Sequence, residues 1–524
     1  MSTGRTTSAP PPIYSNAKLE LNETERQIFD DLLQVAINKS APTTLRAAGG
    51  WVRDKLMGHA SLDIDIALDN QLGKDFAESV NEYLAAHHQE THKVAVIMSN
   101  PEQSKHLETA RMRIRGIWLD LVNLRSEQYA KDSRIPSMSF GTPEQDAMRR
   151  DFTINALFYN INSGEVEDFT GKGIDDLKAG VIRTPLPPKE TFLDDPLRVL
   201  RAVRFSARFG FQPEASLLEA AADDEVREAL GHKVSRERIG AELEGMLKGP
   251  DPVGAIRLLD KLRLFEAVWG LESTAGFPAD AATVLMETTH QLMNQLNSED
   301  ESERRQCLLA ALLLPIRGIQ ISNAKGKPQP LYNHIIKDSL KWRSKDADAV
   351  DVLLSNVPSL LAALTNDNDG SSIRHNKSSG DIYSSLGSQK ILLGRTIRRL
   401  KHLWKPALII AALLEPHKDI PPDTIQPWLH LPSTPPDNDT IKRMLEKCKT
   451  WEAAVTAFGL DTCYEWKPMM DGKAVMTALG MKQGGPRLGA LIDEVIDWQI
   501  MHPNGTMEQC RDWFVEKHST GVEM

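Results

Sequence analysis

The chain has 524 residues, a formal net charge of −10, 41% hydrophobic and 26% charged residues. That describes a soluble globular protein with core enough for three or four lobes, and no apolar run approaches the roughly 20 residues of a membrane span, so no membrane is expected. Four cysteines (Cys307, Cys448, Cys463, Cys510) lie far apart without a Cys-x-x-Cys pair, which argues against a zinc site or disulfide framework and fits a reducing compartment. The acidic balance argues mildly against nucleic acid, but whole-chain charge is a poor guide where basic residues cluster.

Residues 1–15, MSTGRTTSAPPPIYS, form a Pro/Ser/Thr-rich arm expected to be disordered, and its proline run spoils an amphipathic transit helix. Residues 21–38 have helical periodicity. They lead into the stretch LRAAGGWVRDKLMGHASLDIDIALDN, residues 45–70. Gly49 and Gly50 stand between a short apolar run and an expected helix at 51–57, where glycine permits close approach of a ligand and the helix start offers N–H groups to phosphate. Arg53 adds a fork of donors for phosphate oxygens. The alternation in SLDIDIAL, residues 61–68, predicts a strand with Leu62, Ile64, Ile66 and Leu68 on one face, and with Asp63 and Asp65 together on the other. Such a strand is either half-exposed with acids by chance, or a seat for two divalent ions; hard oxygens beside phosphates suit magnesium.

A helix is expected at 74–88 and strands near 93–98, 110–115 and 118–124, so the first 159 residues or so mix strands and helices. Asp120 in WLDLVNLR is either a lone polar residue on a strand or a third carboxylate able to take a proton from an attacking hydroxyl. Residues 126–144 read as a long mobile loop. In RRDFTINALFYN, residues 149–160, Arg149 and Arg150 suit either a solvated charge pair or a triphosphate or RNA backbone. Asp151 suits either a helix cap or an acceptor for a ribose hydroxyl. Residues 168–185 read as a hairpin-like connector.

In FLDDPLRVLRAVRFSARFGF, residues 192–211, Pro196 suits a first helical turn with Asp194 or Asp195 as cap. Arg198, Arg201, Arg204 and Arg208 then fall within one arc of about 120°, opposite Val199, Leu200, Val203 and Ala207. Asp195 and Arg198 are either a surface ion pair or an edge reader: cytosine and adenine both present an amine donor beside a ring-nitrogen acceptor, which an Asp/Arg pair matches and which guanine and uracil lack. SRERIGAELEGML, residues 235–247, reads as a mainly structural helix. Beyond residue 250 the pattern is nearly all helical, with a polar loop at 366–380 and a linker at 431–439. Residues 390–405 carry six Lys/Arg and no acid, either a solvated face or a surface for RNA backbone. No His-Asp dipeptide points to a metal phosphohydrolase module, and no internal repeat is present.

The sequence resembles the class II CCA-adding enzymes, the tRNA nucleotidyltransferases, in a eukaryotic, fungal-like form. GGWVRD with DID, RRDFTINALFYN and DDPLRVLRAVRF carry the resemblance, in order, with WLDLVNLRSE, GVIRTPLP and SRERIGAELEGML between and after them. It implies an α+β architecture: a nucleotidyltransferase head with a mixed sheet and helices, followed by an all-α neck, body and tail in a seahorse-like shape. The corresponding boundaries are arm 1–20, head 21–184, neck 185–270, body 271–432 and tRNA-binding tail 433–524. By position, Asp63 and Asp65 would hold two Mg2+ ions, with Asp120 as third catalytic carboxylate. Gly49, Gly50, Arg53, Arg150, Asp151 and Asn155 would bind the nucleotide, Asp195 and Arg198 would select its base, and Arg201 and Arg204 would support them. The 126–144 loop would take part in the switch from CTP to ATP. Asp194 stands where bacterial members often carry Glu.

The implied activity is template-independent addition of C, C and A to the 3′ end of tRNA by a monomer that uses ATP and CTP, in cytoplasm, nucleus and mitochondrion. Arg395, Arg398, Arg399 and Lys401 are the candidate tRNA contacts. A poly(A) polymerase or A-only adding enzyme of the same superfamily shares the head motifs, and a non-catalytic RNA-binding protein on a decayed head is the alternative from another class.

Overall fold

The computed structural model describes residues 19–37, 43–61, 63–97, 109–128, 137–271, 277–297, 300–323, 325–365, 379–417, 431–481 and 483–519. The N-terminal arm, Leu62, the centre of the 126–144 stretch and most of the 366–380 loop lie outside them. The chain forms two compact units, Met1–Leu271 and Glu272–Met524.

The first unit is built on a seven-stranded sheet. Helix α1 (Glu23–Ile37) precedes β1 (Leu45–Ala48), α2 (Gly50–Leu56), β2 (Asp63–Leu68), α3 (Gly73–Ala86), β3 (Ala95–Ile97), β4 (Thr109–Ile114) and β5 (Ile117–Asn123). The short pair β6 (Arg125–Gln128) and β7 (Ser137–Phe140) then leads through α4 (Pro143–Met148) to β8 (Phe158–Asn160) and β9 (Glu165–Glu167). The sheet order is β3-β4-β5-β2-β1-β8-β9, and only the β2/β5 pairing within it is parallel. Alternation assigns the faces as the pattern predicts: Ile64, Ile66, Leu119, Leu121 and Met112 are buried on one side, and α3 packs Phe76, Val80 and Leu84 against β4 and β5. On the other side Ala48, Ala67, Ala147, Ala156, Leu124 and Phe158 form a small core next to the polar part of that face.

Three expectations change. The 126–144 stretch is not simply a loop, because β6 and β7 pair antiparallel at its ends and α4 begins at Pro143, where Thr142 and Gln145 form a reciprocal capping box. Asp151 does not open an α-helix: a single 3-10 turn, Thr153–Asn155, follows it and the chain returns to strand β8. The 168–185 connector holds a helix, α5 (Gly173–Ala179), before β10 (Val181–Ile182), with Gly180 left-handed at φ 67° as its stop.

Helices complete the unit: α6 (Pro188–Asp194), α7 (Leu197–Phe209), α8 (Ala215–Ala221) after the two-residue β11 (Gln212–Pro213), α9 (Asp224–Lys233), α10 (Arg236–Lys248), α11 (Pro252–Lys261) and α12 (Phe265–Trp269). Helix α7 buries Val199, Leu200 and Val203 and packs on α10 and α11.

The second unit is nearly all helix, as the pattern predicts. It contains α13 (Ala279–Gln295), α14 (Glu301–Leu313), a small hairpin of β12 (Gln320–Ser322) and β13 (Pro328–Pro330), α15 (Leu331–His334), α16 (Ser344–Thr365), α17 (Ser379–Leu400) and α18 (Trp404–Leu414). After these come α19 (Asn438–Ala457), α20 (Gly472–Ala478), α21 (Pro486–Met501) and α22 (Met507–Ser519). Helix α16 is long and apolar enough to cross a membrane by length and composition, which the sequence reading missed, but it packs against α14, α17 and α18. The stripe Leu491, Val495 and Trp498 on α21 forms a core with Phe514, Cys510, Met470 and Val475. All four cysteines are buried thiols without a disulfide.

Candidate active site

The two halves of the DID strand and Asp120 meet through strand register. Asp65 on β2 is the direct neighbour of Asp120 on β5, and Asp63 lies two residues back on the same face. Asp63 and Asp65 are open to solvent and Asp120 is half-buried. The protein packed around Asp65 nevertheless raises its pKa by desolvation; Arg150 opposes the rise, and the Asp120 and Asp63 charges add to it. Asp120 is likewise raised by desolvation, against Arg111 and with Asp63. Its Oδ1 is buried without a hydrogen-bond partner.

The sequence reading missed the counter-charge. Arg111 on β4, in register with Asp120, donates to Asp63 at 2.8 Å and lies 3.4 Å from Asp120 Oδ1. Its signal was visible only as alternation in TARMRI, which places Arg111 on the polar face without saying which strand it meets. Among the described residues no group of three or more His, Cys, Asp or Glu is already gathered as a metal cage. The donor set still suits a hard divalent cation that takes part of its shell from phosphate and water: adjacent carboxylates with raised pKa values, one of whose buried oxygens faces Arg111 without a hydrogen bond.

On the β1 side, Gly49 is left-handed at φ 68° and its N–H donates to the Leu157 carbonyl at 2.9 Å. A Cβ there would lie 2.6 Å from Arg150 Nη1, so glycine is what lets the Arg150 guanidinium cross the turn. Arg150 also donates to the Asn155 carbonyl at 3.1 Å and lies over the Phe158 ring. Asp146 on α4, another residue missed from sequence, receives Arg150 at 2.8 Å and Arg149 at 2.9 Å. Burial alone would raise the Asp146 pKa, but the two guanidinium groups hold it below the usual carboxylate range.

Asp151 accepts from the Phe152 N–H at 2.9 Å and from Asn155 Nδ2 at 3.0 Å, while Arg201 grips it at 2.7 and 2.8 Å. Arg201 and Asn155 outweigh burial and lower its pKa. Asn155 in turn accepts from Arg53, which is buried, paired with Asp54 at 2.7 Å and stacked on Phe205 and Phe209. Arg53 and Asn155 therefore stand behind the Gly49-Gly50 turn, joining it to Asp151 and α7.

The structure does not draw Asp195 and Arg198 together as an ion pair. Asp195 receives Arg238 of α10 at 2.7 Å and caps α7 through the Leu197 N–H at 3.2 Å, whereas Arg198 donates to the Arg149 carbonyl at 2.6 Å. Arg204 donates to Glu242 of α10 at 2.5 Å, with Arg201 3.6 Å from the same carboxylate. From α10, Arg238 and Glu242 hold the residues around the expected base reader.

In the second unit the four candidate RNA contacts separate. Arg395 pairs with Asp497 of α21 at 2.6 Å and Arg398 donates to the carbonyls of Cys463 and Trp466. Arg399 and Lys401 are exposed, as is the ion-paired Arg395.

Residues 45–183 match the family model described as the Poly A polymerase head domain. Over 95% of this chain and 93% of the relative, the sequence is 35% identical to the mitochondrial CCA tRNA nucleotidyltransferase of Saccharomyces cerevisiae. The fold resembles that of the Bacillus stearothermophilus CCA-adding enzyme in complex with CTP, at a TM-score of 0.55 and 18% identity over 96% of this chain and 99% of that one. It also resembles the Thermotoga maritima CCA-adding enzyme complexed with tRNA, at a TM-score of 0.56 and 18% identity over 95% and 96%. With the paired aspartates, the glycine turn and the α7 arginines in place and end-to-end similarity to the yeast enzyme, the chain belongs to the CCA tRNA nucleotidyltransferase family.

Proposed function

We propose that the chain adds C, C and A, without a template, to the 3′ end of tRNA, using CTP and ATP and releasing pyrophosphate. The observation that carries the reading is the single sheet face on which Asp63, Asp65 and Asp120 meet between the Gly49/Arg150 turn and the β4 arginine. Asp63 and Asp65 would hold two Mg2+ ions, which when bound supply charge neutralisation at the reacting phosphate. The Gly49-Gly50 turn and Arg150 bind triphosphate, with Arg53 and Asn155 bracing the turn from behind. Asp151, held by Arg201, takes the ribose. Asp195 accepts from the exocyclic amine of cytosine or adenine and Arg198 donates to the ring nitrogen beside it, an edge that guanine and uracil cannot match. Arg201 and Arg204 keep this corner in shape. Asp120 receives the proton of the attacking terminal hydroxyl.

The chain works as a monomer with tRNA as its polymer substrate. We infer that it serves mitochondrion, cytoplasm and nucleus, where tRNA matures; the mitochondrial name of the yeast relative supports the first of these. Purified protein with Mg2+, labelled CTP and ATP, and tRNA lacking its 3′ end is expected to extend the RNA by three nucleotides and stop. Asp63→Ala and Asp65→Ala are expected to abolish extension with unchanged unfolding. A long A-tail made without CTP would favour a poly(A) polymerase instead.

A further inference from the structure

Strand register lays out a grid on the catalytic face. Asp63 on β2 faces Trp118 on β5, which faces Arg113 on β4; one step along, Asp65, Asp120 and Arg111 line up the same way. Trp118 is 39% exposed, one of a few large apolar side chains left in water among the described residues. The guanidinium carbons of Arg111 and Arg113 lie 4.8 and 5.7 Å from its ring centroid. Packing gives no reason to hold an indole open to solvent beside two cations and the three acids.

The sheet order gives one. The residues that bind the incoming nucleotide in the reading above come from the β1 side of β2 and from segments after β7, while β4 and β5 lie on the other side of β2. Phosphoryl transfer is in line, so the attacking oxygen arrives opposite the departing pyrophosphate. With Asp120 taking the hydroxyl proton, the strand being extended must pass over β5. We propose that the Trp118 indole, with Arg113 beside it, is the stacking platform for the 3′-terminal nucleotide of the RNA being extended.

The proposal rests on the CCA-adding reading, and that reading makes a particular demand on the platform. The terminal base changes at each round, from an encoded base of any kind to C and then to C again. A hydrogen-bonding reader would have to be reset each time, whereas stacking on an aromatic ring tolerates every base, since each has a π-face. Arg111 and Arg113 complement the phosphates on either side of a stacked nucleotide.

The test compares wild type with Trp118→Ala, Trp118→Leu and Trp118→Phe. It measures KM for tRNA lacking its 3′ end, KM for CTP at saturating tRNA, and binding of a fluorescent single-stranded RNA ending in CC. Removing the ring is expected to raise KM for tRNA and weaken the short RNA by about 5- to 100-fold. KM for CTP should stay at the wild-type value, and Trp118→Phe should restore most of the loss. Leucine keeps apolar bulk without a π-face, so it should behave like alanine even if alanine proves unstable. Unchanged tRNA KM and RNA affinity in both ring-less variants, or an equal rise in KM for CTP, overturns the platform. Wild-type protein that extends no tRNA overturns the functional reading and the platform with it; wild type that extends while the ring-less variants match it overturns the platform alone.

Discussion

Asp146 holds both arginines of the RRD stretch from beneath, and it is 1% exposed. Its folded pKa lies below the unfolded value of about 3.9, so its ionised form stabilises the fold above that pH, and the contribution is lost as pH falls through the folded pKa. Asp146→Asn is therefore expected to cost about 3 kcal/mol at neutral pH, measured by denaturant unfolding of the two proteins. The gap should narrow below about pH 4, as the wild-type carboxyl itself protonates. Nothing in QDAMRR distinguished Asp146 from an ordinary helix acid, because its meaning lies in which two side chains return to it. Asp63, Asp65 and Asp120 were legible by contrast: strand alternation alone fixes the face of each, and only the register that sets Asp65 beside Asp120 had to come from the fold. The spacing of Asp195 and Arg198 misled in detail. Asp195 stands extended (φ −133°, ψ 95°) ahead of α7 and accepts from the Leu197 N–H, as a cap would, but its carboxylate pairs with Arg238 of α10 rather than with Arg198.

At the scale of elements, α7 and α10 act as a pair. The amphipathic stripe of α10 was read for its apolar residues, but its buried Glu242 clamps Arg204 and lies within reach of Arg201, and a Cβ on Gly245 would lie 2.6 Å from Arg204 Cδ. A helical wheel shows that Glu242 exists; it cannot show that the neighbouring helix presents two arginines to it. Glu242→Gln removes the charge and keeps the shape. The expected result is a rise of about tenfold in KM for CTP and ATP with KM for tRNA unchanged, read from initial rates with each substrate varied in turn. A uniform loss of kcat with both KM values intact would show instead that α10 acts on the fold alone. The basic run 390–405 likewise has neighbours that its spacing does not disclose. Arg395 and Arg398 are spent on α21 and on backbone carbonyls after α19, partners that composition cannot reveal.

Across the whole molecule, a net charge of −10 has to coexist with a polyanionic substrate. Local basic clusters are the proposed answer, and in the 390–405 run Arg399 and Lys401 are exposed candidates for phosphate. Reversing Arg399 and Lys401 to Glu is expected to weaken tRNA binding and to flatten its dependence on salt by about one unit of slope per lost phosphate contact, while KM for CTP stays fixed. Affinity measured from 50 to 200 mM salt checks both. The order of motifs and the division into a mixed head and a helical remainder were legible from residue patterns; the β6/β7 pairing and α5 were not, since Pro, Gly and polar residues dominate both stretches and the apolar periodicity there is short. The one parallel contact in the sheet has a further effect. Strands β2 and β5 lie side by side, yet α3, β3 and β4 intervene in the chain, because parallel neighbours cannot be joined by a tight turn. During synthesis the DID segment therefore leaves the ribosome well ahead of its partner strand, and Arg150 follows later still. A half-made polypeptide carries the acids but no assembled centre, so closure of the head is itself the event that switches the chemistry on.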